Sequence, residues 1–149
     1  MKTEGDAPRG FASDEEVLEV VRRFETCEFS PDEFNHREHL CVALVYARRL
    51  EEREALERTR AGIHDFLTHH RITPASVYHE TITVFWLRRV RAFAEADGRA
   101  SLPLAALAEE LFAVCGNSRL IYDYYTKARL DTDEAREVLV EPDLKPFDF

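Results

Sequence analysis

Apolar residues recur at three- and four-residue steps along most of the chain, which is the spacing of an amphipathic helix. The clearest such stretch runs from Asn35 to Leu50. On a helical wheel its apolar positions fall on one side at Leu40, Ala43, Ala47 and Leu50. The charged positions fall on the opposite side at Arg37, Glu38, Arg48 and Arg49. No segment alternates apolar and polar residues as a half-buried strand does. The pattern therefore predicts an all-α fold.

Local start signals mark where the first two helices begin. Ser13 and Glu16 form a capping box, in which the serine hydroxyl and the glutamate carboxylate satisfy early backbone amides. Asn35 and Glu38 repeat that spacing, while Pro31 suits the first position of a longer helix. Either one long helix begins at Pro31, or a short turn precedes a helix capped by Asn35. We favour the second alternative.

The remaining pattern predicts further helices separated by breaks. They span about residues 54–70, 77–93 and 104–115, with a short apolar face at 120–125 and a last brief helix opened by residues 131–134. The helix over 77–93 is expected to stop at Asp97-Gly98, because glycine tolerates a positive φ. We predict a compact bundle of four main helices plus short accessory helices. Residues 1–12 are expected to form a flexible leader, and residues 13–149 a single helical domain.

The composition indicates an ordinary soluble domain. Apolar residues make up 45% and charged residues 33% of the 149 residues, which is usual for one globular domain. No apolar run approaches the roughly 20 residues that span a bilayer. The N-terminus also lacks the apolar segment of a signal peptide. We therefore expect a cytoplasmic protein that does not contact a membrane.

The charge of the chain argues against nucleic acid as a partner. The net charge is −9, and such a field repels phosphate. The densest basic cluster is confined to Arg88, Arg89 and Arg91. The three cysteines are far apart, at Cys27, Cys41 and Cys115. Because no Cys-x-x-Cys pair exists, we expect them to be small buried residues of a reduced chain. A small molecule is the expected partner, and the oligomeric state stays open.

Three histidines carry the strongest chemical signal. His36 and His39 lie one turn apart on the apolar side of the Asn35–Leu50 helix. His79 lies on the apolar stripe of the helix predicted over 77–93, with Glu80 on its flank. His36 falls in the first turn, where the helix dipole favours the neutral ring that metals bind. If the two helices pack in parallel, the three rings converge and Glu80 becomes a fourth ligand or a base. Such a site suits a divalent transition metal: zinc, iron, manganese or copper.

The first hypothesis for the function is a metal-dependent enzyme that acts on a small molecule. Glu80 would be a metal ligand or general base, and Tyr78 a hydrogen-bond donor. Four aromatic residues would line a pocket beside this site: Tyr78, Trp86, Tyr124 and Tyr125. The second hypothesis is a non-catalytic helical module that binds a ligand, a metal or a partner. Its histidines would be ordinary hydrogen-bonded core residues.

A third hypothesis is a metal-dependent hydrolase. His64-Asp65 resembles the adjacent His-Asp pair of the HD phosphohydrolase superfamily, and His39 would be the upstream ligand. Asp65, however, lies off the apolar face of its predicted helix, and no downstream Asp stands in a matching context. Nucleophilic catalysis and phosphate-loop binding have no support, because the chain has neither a nucleophile elbow nor a glycine-rich loop.

Two strings of the sequence occur together with a characteristic tail. The strings are Phe34-x-His36-x-x-His39-Leu40 and Tyr78-His79-Glu80-Thr81-x-Thr83 followed by Trp86. The tail runs from Ala135-Arg136 to Val140-Glu141-Pro142-Asp143-Leu144. With these residues the chain resembles small helical bacterial proteins of unknown function over about residues 34–144. The resemblance implies that His36, His39, His79 and Glu80 act as one set, and it implies no activity.

Overall fold

The computed structural model describes residues 10–96 and 98–149, and this part of the chain contains helices and turns but no strand. The α-helices are, in chain order, α1 Asp14–Glu25, α2 His36–Arg49, α3 Glu52–His69, α4 Pro74–Val77, α5 Glu80–Glu95, α6 Leu104–Cys115, α7 Lys127–Leu130 and α8 Asp133–Glu137. A 3₁₀ turn at Ser118–Asp123 links α6 to α7. The predicted all-α class is confirmed. Five helices of the described chain have 12 residues or more, so a bundle of four main helices is not confirmed.

Helix α2 lies at the centre, because α1, α3, α5 and α6 all pack against it. Every residue from Leu40 to Tyr46 is buried. A helix that is enclosed on all sides has to be apolar all round, and each buried Leu or Val side chain contributes about 1.5–3 kcal/mol to stability. Glu38, predicted on the charged side, is buried instead. Its carboxylate accepts hydrogen bonds from the Asn35 amide at 3.0 Å and the Arg37 guanidinium at 2.9 Å.

The first helix starts are formed by the residues that the sequence indicates. The Ser13 hydroxyl accepts a hydrogen bond from the Glu16 amide and caps α1. A turn precedes α2, which begins directly after Asn35, so the favoured alternative is confirmed.

Gly62 lies within α3, where glycine is normally unfavourable. A Cβ atom there would lie 2.4 Å from Cζ of Phe24 on α1, so the close approach of this ring explains the glycine.

Helices α2 and α5 run in the same direction, which is the condition for the predicted convergence of the histidines. The ring of Trp86 on α5 lies 4.6 Å from the ring of His36 at the start of α2. Nearer the C-terminal ends, the Arg91 guanidinium donates hydrogen bonds to the carbonyl oxygens of Ala47 and Leu50, at 3.2 and 2.9 Å. The start of α2 thus meets the seventh residue of α5 rather than its first.

The C-terminal part of the chain packs on α5 and forms a second apolar cluster. Its buried members are Phe85, Ile121, Tyr124, Tyr125, Leu130, Ala135 and Val140. Phe147 and Phe149 pack against this cluster. Thr81 is fully buried on α5 and holds the segment through its hydroxyl. That hydroxyl donates to the Val138 carbonyl at 2.8 Å and accepts from the Val140 amide at 3.2 Å.

The end of α5 and the leader lie partly within the described residues. Helix α5 ends at Glu95, and Gly98 has a φ of +81°. Asp97, the other residue of the predicted stop, lies outside the described residues. Residues 1–9 of the predicted leader lie outside them as well. The ring of Phe11 packs against α6, where it lies 6.0 Å from an aromatic ring of that helix.

The cysteines form no disulfide, and one arginine of the basic cluster forms an ion pair. Cys27, Cys41 and Cys115 are unpaired, and the last two are buried. Arg88 of the basic cluster forms an ion pair with Glu52 at 3.3 Å.

No helix in the described part of the chain is both long and apolar enough to cross a bilayer.

Replacing Thr81 by Val should lower the free energy of unfolding by about 1–3 kcal/mol, because the Val138 carbonyl and the Val140 amide lose their buried partner. Urea unfolding measures this change. Thr68→Val, at an exposed position of α3, is the control and should change the free energy by less than about 0.5 kcal/mol. Equal effects of the two substitutions would contradict the role given to the Thr81 hydroxyl.

Candidate functional site

A cavity of about 470 Å³ lies between α1, α2, α3, α5 and the 3₁₀ turn. Its walls are mostly apolar and include Phe24, Phe34, Val42, Ile63, Trp86 and Ile121. A space of this size and lining is typical of a site for a small molecule. The polar groups that reach the wall therefore decide what the cavity can bind.

His39 lies in the wall of this cavity, one turn into α2. The residue is exposed, and the centre of the Phe34 ring lies 4.0 Å from the centre of the His39 ring. Neither ring nitrogen forms a hydrogen bond with a described residue. Desolvation by the protein atoms around the ring, and to a smaller extent the neighbouring His36, lower the pKa of His39 to about 4. At neutral pH the ring is therefore uncharged and offers one donor and one acceptor to a molecule in the cavity.

His36 lines the same cavity but also connects two helices. Its Nε2 lies 2.8 Å from the Cys115 carbonyl oxygen at the end of α6, so this nitrogen carries the proton and donates it. Burial lowers the pKa of His36, and the hydrogen bond to Cys115 offsets part of that effect. The ring therefore stays neutral at neutral pH, and its Nδ1 remains an acceptor. His36 thus ties the start of α2 to the end of α6.

Thr59 on α3 is a second polar group of the wall that lacks a partner. The residue is only 7% exposed, and its Oγ1 forms no hydrogen bond with a described atom. A buried hydroxyl without a partner costs about 1–3 kcal/mol. Rotation about the χ1 bond of a threonine moves its hydroxyl and methyl groups to other positions around Cβ. A ligand in the cavity is therefore placed to supply the missing partner.

The cavity reaches the surface between the start of α2 and the end of α6. The exposed residues of its lining are Asn35, His39, Ser118 and Arg119. The Arg119 guanidinium lies 5.1 Å from the centre of the Tyr122 ring. The described lining contains no Asp, Glu or Lys. Because the two histidines are neutral, Arg119 is the charged group of this wall at neutral pH.

His79 does not lie in this cavity, which corrects its predicted position. The periodicity over 77–93 predicts it inside a helix, but α5 begins one residue later and His79 is its N-cap. Its Nδ1 accepts a hydrogen bond from the Ile82 amide at 3.2 Å, and its Nε2 donates to the Leu130 carbonyl at 2.7 Å. Burial lowers the pKa of His79. Both ring nitrogens are occupied by the backbone, so His79 anchors α7 to the start of α5.

Glu80 and Tyr78, predicted as catalytic residues, form an ion-pair cluster outside the cavity. Arg60 on α3 donates two hydrogen bonds to the Glu80 carboxylate, at 3.1 and 2.5 Å, and the Tyr78 hydroxyl donates a third at 2.6 Å. Burial by itself would raise the pKa of Glu80, but these hydrogen bonds outweigh it and lower the pKa. Burial and the bond to Glu80 raise the pKa of Tyr78 to about 12. This arrangement holds the carboxylate as a paired anion, which makes it a weak base.

The four predicted metal ligands are therefore divided among three places. His36 and His39 line the cavity. His79 caps α5, and Glu80 pairs with Arg60. His36 contacts Trp86, which lies seven residues beyond His79 in the chain, so the start of α2 does not meet His79. Among residues 10–96 and 98–149, no three His, Cys, Asp or Glu side chains come close enough together to hold a metal ion. The predicted convergence is not observed, and metal binding stays a prediction.

The residues of the hydrolase hypothesis do not meet either. The ring of His64 lies 4.8 Å from that of Tyr78, on the side of the Glu80 cluster. Asp65 is exposed. His39 lies in the cavity, which neither His64 nor Asp65 lines. The structure thus gives these three residues separate surroundings.

Of the four aromatic residues that the sequence predicts for a pocket, only one lines this cavity, and the polar residues Thr59 and Arg119 were not predicted. Trp86 lines the cavity, whereas Tyr124 and Tyr125 belong to the C-terminal cluster. Thr59 is visible in the sequence only as a threonine on an apolar stripe, which is a weak sign of a buried polar contact. Arg119 carries no local signal, because its place at the cavity mouth depends on how the 3₁₀ turn packs.

Acid should destabilise the protein through His39. The pKa of this ring is about 4 in the folded protein and about 6.5 in an unfolded chain, so the unfolded state takes up the proton first as the pH falls. The contribution of His39 to stability is complete above a pH of about 6.5 and is lost as the pH falls toward about 4. His39→Gln removes the titrating group. Its free energy of unfolding should therefore fall less between pH 7 and pH 5 than that of the wild type.

Chemical unfolding at the two pH values measures this difference. His69→Gln, a change at an exposed histidine outside the cavity, controls for the loss of a histidine as such. An equal fall in stability for the wild type and His39→Gln would contradict a neutral His39 in the cavity wall.

Comparison with known proteins does not assign the chain to a family. No family model matches it, and neither a curated protein nor a solved structure is significantly similar to it. The resemblance to small helical bacterial proteins therefore stays a prediction from its motifs. The function has to be inferred from the cavity and its polar groups.

Proposed function

We propose that the protein binds a small, mostly apolar molecule in the cavity beside α2, and that His39 is its main hydrogen-bonding contact. The observation that carries this proposal is a neutral imidazole that lines an apolar space without a partner among the described residues. The rings of His36 and His79 hold backbone carbonyl groups, whereas the exposed ring of His39 leaves a donor and an acceptor for a molecule in the cavity. A ligand would give His39 the contact that the fold does not provide.

The apolar wall would supply most of the affinity. Moving apolar ligand surface out of water is worth about 25 cal/mol per Å², so a molecule that buries about 200 Å² gains roughly 5 kcal/mol before the cost of ordering is subtracted. A hydrogen bond to His39 adds about 1 kcal/mol. The polar contact therefore contributes more to the choice and orientation of the ligand than to the strength of binding.

Binding without catalysis fits these residues better than the metal-dependent enzyme of the first hypothesis. Glu80, the predicted base, is held by Arg60 and does not line the cavity. The low pKa of His39 makes its ring a weak base at neutral pH. No described residue of the wall is an Asp or Glu that would activate water. These features support the second hypothesis, a non-catalytic module that binds a ligand.

A neutral probe tests the proposal. The single tryptophan of the chain, Trp86, lines the cavity, so its emission reports on molecules that enter. We expect 4-phenylbutanamide, which has an apolar body and an amide that donates and accepts, to change this emission with a saturable titration. Ala43 is buried in the cavity wall. Ala43→Leu should fill part of the space and weaken binding about tenfold, which corresponds to roughly 1.4 kcal/mol.

Ala61→Leu is the matched control, because it makes the same change at an exposed position of α3. It should bind the probe like the wild type. Urea unfolding of both variants checks that the fold is kept. Unchanged affinity in Ala43→Leu, or the same loss in both variants, would contradict binding in the cavity.

A further inference from the structure

We infer that the molecule bound in the cavity carries, besides the polar group that contacts His39, a single carboxylate, which Arg119 holds at the mouth while the apolar body lies inside. This inference rests on the proposed function and adds the charge and the orientation of the ligand. It follows from the charge of the wall, the surroundings of Arg119 and the position of the mouth.

The charge of the cavity is opposite to that of the chain. The sequence has 29 acidic and 20 basic residues and a net charge of −9. In the described wall of the cavity, by contrast, no residue is acidic and Arg119 is basic. Desolvation keeps His36 and His39 neutral, so they add no charge at neutral pH. One positive charge at a site in an otherwise acidic protein is complementary to a ligand with one negative charge.

Arg119 is held at the mouth without a carboxylate partner. Its backbone amide donates to Oδ1 of Asn117 at 3.0 Å, which fixes the start of the 3₁₀ turn. Its guanidinium lies 5.1 Å from the centre of the Tyr122 ring. No described carboxylate forms an ion pair with it. Contact with an aromatic ring leaves the N–H donors of a guanidinium unused, and their planar fork matches both oxygens of a carboxylate.

A bound carboxylate also loses the least hydration free energy if it lies at the mouth of the cavity. In the apolar interior it would give up its water without a charged partner, because His36 and His39 are neutral. At the mouth Arg119 is exposed, so the carboxylate keeps water on one side and gains charge-assisted hydrogen bonds on the other. Helix α2 begins here, and the positive end of its dipole adds to the attraction. Glu38 in its first turn is already paired with Arg37.

Two probes of nearly equal shape test this inference: 4-phenylbutanoate and 4-phenylbutanamide. Calorimetric titration at low ionic strength should show that the wild type binds the acid about threefold to tenfold more tightly than the amide, the range for a charge-assisted contact at a partly hydrated site. Added salt should reduce this preference. Arg119→Gln should abolish the preference, because it weakens the binding of the acid more than that of the amide.

Arg49→Gln is the matched control. It removes one positive charge from an exposed arginine outside the cavity, so it changes the overall field by the same amount. This variant should keep the preference for the acid. Loss of the preference in Arg49→Gln as well would assign it to the overall field and overturn the role of Arg119.

The remaining outcomes separate this inference from the proposed function. Equal affinity of the wild type for acid and amide, or a preference that survives in Arg119→Gln, would overturn the carboxylate and leave the cavity as a binding site. Tighter binding of 4-phenylbutyl phosphate than of the acid would overturn the single negative charge. Binding of neither 4-phenylbutanoate nor 4-phenylbutanamide would overturn the proposed function together with the inference.

Discussion

The enclosure of α2 is the constraint on which the rest of the structure depends. Four helices surround it and remove every residue from Leu40 to Tyr46 from water. Polar groups near its ends then need partners from other elements. His36 donates to the end of α6, and the Tyr46 hydroxyl donates to Glu25 of α1 at 2.7 Å. Arg91 from α5 binds carbonyl oxygens at the C-terminal end of α2. These contacts fix α2 relative to α1, α5 and α6.

Three histidines of this structure have different roles because their partners differ. His79 uses both ring nitrogens to hold the backbone, and His36 uses one to join two helices. His39, on the same helix as His36, meets an apolar wall and has no hydrogen-bonding partner in the described chain. The Thr59 hydroxyl is buried without a partner, which costs stability. A cavity wall that holds such a hydroxyl beside an accessible imidazole is typical of a binding site, where fold stability is given up for contact with a ligand.

The helices and half of the candidate site could be predicted from the sequence. The periodicity of α2 predicts that His36 and His39 share one side of the helix, and both line the cavity. His79 was misplaced because the apolar pattern continues beyond the true helix start, and histidine is not among the residues that usually cap helices. Glu80 seemed free because its partner Arg60 lies on another helix. Arg119 reaches the cavity through the packing of the 3₁₀ turn. Such contacts between distant segments leave no periodic signal in the sequence.

The central claim is that His39 is available to a ligand, whereas His79 belongs to the fold. Nitrogen NMR of protein labelled on its histidine side chains tests this directly during titration with 4-phenylbutanamide. We predict that saturation shifts the ring nitrogens of His39. Those of His79, which contact Ile82 and Leu130, should keep their positions. An unchanged His39, or a shift of His79 as large as that of His39, would contradict the claim.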